Sequence, residues 1–280
     1  MERSAFIPYD SSFNHFDKSG VHLVQSTLIK ILWRFLTVLF LDLFIGFFLS
    51  FVILNGKDSN NTNNNKSRCV RVFDNTPGRW FLLHALWNVG IVLGTLEDFK
   101  RTIDNPINAC DKNLEYNLAP SYLSMALHLY HCVIPWYCRS LTFQDFMHHI
   151  VFAICGLGSM SLAWSWGPGA NFAFFFLTGF PGGVDYFMLA LVKLKFMDRM
   201  TEKKINTNIN AWCRGPGCVI SAAWTYSNYL QGIMDPPLGI VFLQMILLFV
   251  NGQYYATRIA LNYQKVKTIE EVSSKRTKRK

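Results

Sequence analysis

The residues best suited to chemistry in this chain are histidines that stand inside apolar stretches. Four of the seven histidines lie between residues 128 and 149, and one aspartate stands among them: His128, His131, Asp145, His148 and His149. Burying an ionisable side chain in hydrocarbon is costly unless the side chain has a partner or faces a watery cavity. A carboxylate beside an imidazole fixes the imidazole tautomer and stabilises the imidazolium, which suits a general base or an activated nucleophile. These residues are therefore the first candidates for a reactive site.

Helical spacing predicts which of these side chains share a face. His128 and His131 are three residues apart, so both project from one side of a helix. Asp145 precedes His148 by three residues and His149 by four, which places this acid on the same stripe as the pair. Only a few residues join the two stretches, so the two helices must be antiparallel neighbours. Histidines can also serve packing alone by hydrogen bonding across helices.

The helices that must position these residues are predicted to cross a lipid bilayer. Hydrophobic residues make up 51% of the 280 residues and charged residues only 16%, against about 25% in soluble domains. The apolar residues fall into seven stretches of about 17 to 25 residues, the length that crosses a bilayer. The predicted spans are Ile31 to Leu54, Trp80 to Leu96, Ala119 to Tyr137, Phe143 to Trp164, Asn171 to Leu194, Trp212 to Met234 and Leu238 to Ala260. The predicted fold class is an all-α polytopic transmembrane helix bundle of about seven spans.

The chain divides into three predicted parts. Residues 1–30 form a polar N-terminal segment, 31–262 the transmembrane bundle, and 263–280 a basic tail. An Asn-rich loop at 57–68 contains two glycosylation sequons, at Asn60 and Asn65. This loop is low in complexity and has no apolar residues to bury, so it is expected to be mobile.

The distribution of positive charge predicts the orientation. With seven spans, most of the 27 Lys and Arg residues fall on the side of the C-terminus. Because cytoplasmic loops are enriched in Lys and Arg, the C-terminus is expected in the cytoplasm, where the sequons would go unused. The terminal sequence KRTKRK is similar to dibasic retrieval signals of the endoplasmic reticulum, which suggests residence there. The net charge of +9 is assigned to contact with lipid headgroups, and no nucleic acid partner is expected.

Further polar residues in the spans are expected to belong to the same site. Asp185 follows a Pro-Gly-Gly sequence that should break or kink its helix, and irregular backbone is tolerated in a membrane only where it lines protein or a cavity. Asn171, Asp185 and Tyr186 are therefore predicted to line a substrate cavity together with His128 and His131. No metal site is predicted, because membrane di-iron enzymes use more histidines than the seven present here.

The motif D-F-M-H-H-I-V, which begins at Asp145 and has Tyr130-His131 upstream, resembles the TLC family of membrane proteins. This family includes the ceramide synthases, in which an intramembrane histidine pair supports acyl transfer from acyl-CoA to the amine of a sphingoid base. The resemblance implies that His148 and His149 are the catalytic pair and that Asp145 orients them. It also implies acyl-CoA as a co-substrate, membrane lipids as partners and no resident cofactor, with a second copy of the chain as a further candidate partner.

Two alternatives remain open at this point. Other members of the family act on membrane composition or trafficking, so the chain could be a lipid sensor or trafficking factor without catalysis. A weaker likeness is to the fatty acid elongases, seven-span condensing enzymes with an intramembrane H-x-x-H-H box. Here Asp145 or Phe146 stands where that box begins with histidine.

Overall fold

The computed structural model of the chain describes residues 18–55, 78–138 and 141–277. The N-terminal segment before Lys18, the Asn-rich loop with both sequons and the last three residues of the tail lie outside the described residues.

The described residues form seven long helices, with no strand among them. The helices are α1 (Lys18–Asn55), α2 (Arg79–Asp104), α3 (Ala119–Val133), α4 (Phe143–Ala163), α5 (Gly169–Lys193), α6 (199–230) and α7 (Leu238–Thr277). Five of them, α1, α2, α4, α5 and α7, are long and apolar enough to cross a membrane. The predicted all-α transmembrane bundle is confirmed.

The remaining two helices differ from the predicted spans. Helix α3 has 15 residues, or about 22 Å, and a separate short helix, Pro135–Cys138, follows it. Helix α6 begins at Arg199, well before the predicted start at Trp212. The prediction missed its first turns because they carry polar residues, which lower the hydropathy of that segment. The ends also differ, since α1 starts within the segment 1–30 and α7 continues through the tail to Thr277.

A buried ion pair joins α1 to α2 and α3. The Asp42 carboxylate accepts hydrogen bonds from Arg79 Nε at 2.8 Å and Nη2 at 2.5 Å, and from the hydroxyls of Tyr130 at 2.7 Å and Tyr137 at 2.6 Å. All four side chains are completely buried. We call this group the Asp42 clamp. It lies within the apolar core formed by α1, α2 and α3, where a charge of either sign requires a partner.

Three helices contain turns that are wider than an α-helix, with hydrogen bonds to the fifth residue. These π-helical turns are His148–Gly158 in α4, Phe175–Gly179 in α5 and Asn210–Arg214 in α6. Of the predicted break or kink at Pro181, a break is absent, because α5 continues through the proline, and the irregular backbone is the wide turn that precedes it. In the wide turn, backbone N–H groups bond to carbonyls five residues back instead of four. This shift accommodates Pro181, which has no N–H to donate.

Helices α6 and α7 approach closely at Gly252. A Cβ added there would lie 2.8 Å from the Cβ of Cys218, whereas a Cβ added at Gly239, on the same helix, would meet nothing within 4 Å. Gly252→Ala should therefore lower the free energy of unfolding by about 1–3 kcal/mol through overpacking. Gly239→Ala should leave it unchanged or slightly raised. Thermal unfolding of both variants in one detergent tests this, and equal melting temperatures would contradict the close approach.

Candidate functional site

Five of the chain's seven histidines meet in one cluster. His84 comes from α2, His128 and His131 from α3, and His148 and His149 from the start of α4. The ring centroids of His84 and His131 are 4.5 Å apart, and those of His131 and His149 are 5.3 Å apart. His128 lies 5.1 Å from His149 and 5.6 Å from His148. The α3 and α4 histidines that were expected to share a site therefore lie together, and His84 joins them from α2.

Backbone carbonyls orient two of these rings. His128 Nδ1 lies 2.7 Å from the carbonyl oxygen of Ser124, and His84 Nδ1 lies 2.8 Å from that of Trp80. A carbonyl oxygen only accepts, so Nδ1 carries the hydrogen in each bond. In the neutral ring, Nε2 is then left with a free lone pair.

His131 lies behind the site and not in it. It is completely buried and stacks on Trp80 at 4.0 Å between centroids, and the His84 ring lies against both, 4.5 Å from His131 and 4.8 Å from Trp80. Neither of its ring nitrogens has a hydrogen-bond partner among the described residues. The predicted cavity role of His131 is therefore replaced by a packing position, because the ring is covered by Trp80 and His84.

The aspartate of the motif caps its helix. Asp145 Oδ2 accepts from the backbone nitrogen of Thr142 at 3.0 Å and from its hydroxyl at 2.7 Å, while Asp145 N donates to the Thr142 hydroxyl at 3.2 Å. This reciprocal capping box fixes the first turn of α4, immediately before the wide turn that starts at His148. The Asp145 side chain is exposed and faces the outer of two cavities. The spacing T-x-x-D was a readable capping signal in the sequence.

Two cavities meet at the histidine pair. The inner cavity, of about 100 Å³, is lined by His84, His128, Asp185 and Arg214 among others. The outer cavity, of about 600 Å³, is lined by aromatic, polar and apolar side chains, mainly from the starts of α2 and α4 and the middle of α7. The residues common to both linings are His148, His149, Tyr186, Asn251 and Tyr255. The predicted cavity residues Asp185 and Tyr186 thus lie at the site.

A polar ladder that the sequence analysis missed leads along α6 to the inner cavity. Asn206 Nδ2 donates to Asp185 Oδ1 at 2.6 Å, Asn210 Nδ2 donates to Asn206 Oδ1 at 2.6 Å, and Arg214 Nη1 donates to Asn210 Oδ1 at 2.8 Å. Arg214 is only 6% exposed, and its guanidinium lies 5.1 Å from the centre of the Tyr255 ring. The sequence feature that could have predicted this ladder is the repeated spacing of four residues between Glu202, Asn206, Asn210 and Arg214, which places them on one face of a helix.

Asn171 does not line either cavity. Its amide nitrogen donates to Asp98 Oδ2 and to the carbonyl oxygen of Asn117, both at 2.7 Å. Asp98 also forms an ion pair with Arg101 at 2.9 Å. Asn171 therefore ties α5 to α2 and to the loop before α3, which corrects its predicted role in the cavity.

The arrangement places proton acceptors and hydrogen-bond donors around the same cavity. Imidazoles of His84, His128, His148 and His149 line the inner cavity together with Arg214 and Tyr255. Such a site can remove a proton from a nucleophile and stabilise an oxyanion in the same small space. No family model matches the chain, and neither a curated protein nor a solved structure shows significant similarity to it.

Proposed function

We propose that the chain is a membrane enzyme acting on lipids, which transfers an acyl group from acyl-CoA to the amine of a long-chain base. The observation that carries this proposal is the position of His148 and His149 where the outer cavity meets the inner one. A reacting bond held there is within reach of imidazoles and is shielded from most water. Shielding favours transfer to an amine over hydrolysis of the thioester.

The side chains at this junction can carry out both proton transfers that the reaction requires. The amine nitrogen attacks the thioester carbonyl, and an imidazole of the pair accepts the proton that the nitrogen loses. Arg214 and Tyr255 donate hydrogen bonds to the oxyanion, for which Arg214 Nε is suited because it has no partner among the described residues. The C–N bond forms as the C–S bond breaks, and the imidazolium returns its proton to the departing thiolate of CoA.

The outer cavity suits the polar part of acyl-CoA. Arg258, Tyr254 and Gln144 line it, and it adjoins the end of the bundle where α2 and α4 begin, together with the middle of α7. By the positive-inside rule this end faces the cytoplasm, where acyl-CoA is made available. Together with the dibasic tail, this orientation favours a location in the endoplasmic reticulum.

The proposal is tested with the full-length protein in lipid nanodiscs. Incubation with a long-chain acyl-CoA and a long-chain base should give the N-acyl amide and free CoA, both measured by mass spectrometry. Protein-free nanodiscs with the same reagents give the uncatalysed rate, and an amide yield no higher than theirs would refute the proposal.

Two further measurements separate the alternatives. Lipid that co-purifies with the protein, without turnover of any reagent, would identify a lipid sensor or trafficking factor. Formation of a 3-ketoacyl-CoA on addition of malonyl-CoA would identify an elongase-like condensing enzyme.

A further inference from the structure

We infer that His128, His148 and His149 form a binding site for one divalent transition metal ion, with zinc as the preferred occupant. One ring nitrogen from each of the three residues lies within 4.8 Å of the other two. Three neutral imidazoles that converge in this way, from two helices, supply the ligands of a catalytic zinc site with a fourth position left open.

The distances are compatible with a tetrahedral ion after small side-chain movements. Zinc–nitrogen bonds of 2.0–2.1 Å place the ligand nitrogens about 3.3 Å apart. The widest pair would therefore close by roughly 1.5 Å, which side-chain rotation alone can provide. His149 Nδ1 has no hydrogen-bond partner among the described residues, so no bond at that atom opposes the rotation.

One ligand is already oriented for a metal. The bond from His128 Nδ1 to the carbonyl oxygen of Ser124 fixes the tautomer and leaves Nε2 to bind the ion. Metal-binding histidines almost always donate their other ring hydrogen to a carbonyl, a carboxylate or water, which also makes them more basic ligands.

The ligand set selects the class of ion. Imidazole nitrogens suit zinc, copper, nickel and iron, whereas magnesium and calcium require oxygen ligands. Asp185 and Arg214 line the same cavity with opposite charges. The positive charge of the ion is therefore balanced by a hydroxide or an anionic group of the substrate at the open position.

The metal site is a separate inference from the proposed acyl transfer, because the ion can bind to the protein without any catalytic turnover. In the loaded protein the ligand nitrogens cannot also accept a proton. The proposed acyl transfer to an amine therefore belongs to the metal-free protein, whereas a bound ion would make a water at its open position more acidic.

The test uses the full-length chain, purified with a tag that contains no histidine and stripped with a chelator. After addition of zinc or cobalt(II) and removal of free ion, elemental analysis should find one ion per chain. Cobalt(II) should give the intense visible absorption of a tetrahedral site. His128→Ala should weaken binding by roughly 100-fold or more, since even the loss of an outer-shell partner costs about 10–100-fold.

His131→Phe is the matched control, because it changes the same cluster outside the three ligands and should keep full binding. If His128→Ala is not monodisperse on size exclusion, His148→Gln tests the same prediction. Absence of stoichiometric metal, or equal affinity in wild type and ligand variants, would overturn the inference. Metal binding without amide formation would leave this inference standing and refute the acyl transfer.

Discussion

Replacing Asp42 by asparagine should lower the free energy of unfolding by about 3–5 kcal/mol, the usual cost of removing one partner of a buried ion pair. The carboxylate accepts four hydrogen bonds from Arg79, Tyr130 and Tyr137, and all of these groups are completely buried. Asparagine keeps the shape but removes the negative charge that pairs with Arg79. Thermal unfolding in detergent, followed by loss of monodisperse protein, should show a large fall in the melting temperature.

An exposed ion pair on α2 provides the matched control. Lys100 and Asp104 are 3.1 Å apart, with side chains 80% and 60% exposed. Asp104→Asn removes the same charge as Asp42→Asn but should change stability by less than about 1 kcal/mol. Comparable losses in the two variants would show that the Asp42 clamp does not hold α1 to the bundle.

Replacing both His148 and His149 by alanine should lower the rate of amide formation by about 10²–10⁴-fold, the usual contribution of general acid–base catalysis. The single variant that removes the proton acceptor should account for most of this loss, because residues that act as one unit are not additive. Rates measured with saturating acyl-CoA and base separate a loss of chemistry from a loss of binding.

His131→Phe separates catalysis from packing within the same cluster. A phenyl ring can stack on Trp80 and His84 and removes two buried nitrogens that lack partners among the described residues. We expect normal turnover and an unchanged or higher melting temperature. If His148→Ala with His149→Ala keeps the wild-type rate, or loses its fold before its rate, the catalytic assignment of the pair is wrong.

Local rules predicted much of this architecture. Apolar stretches of membrane length gave the all-α bundle and its order of helices. The spacing of His128, His148 and His149, with the short connection between their helices, was enough to predict that they meet, since antiparallel neighbours joined by a few residues have little freedom of register.

The features of the structure that could not be predicted from the sequence depend on contacts between distant segments of the chain. Nothing local shows that Asp42 meets Arg79, 37 residues later, or that Trp80 covers His131. Asn171 is a polar residue within an apolar stretch, as expected of a cavity residue, but its side chain binds Asp98, 73 residues away in the sequence. The wide turns were also hidden, because hydrophobic periodicity does not distinguish a short π-helical turn from an α-helical one.

The Asp42 clamp has a consequence for how the protein enters the membrane. When α1 leaves the ribosome, its buried acid lacks the arginine that neutralises it, because Arg79 is made later. A lone acid at this depth opposes transfer from the translocon into lipid. Helix α1 should therefore wait at the translocon until α2 has been synthesised, and the two should enter the bilayer as a pair.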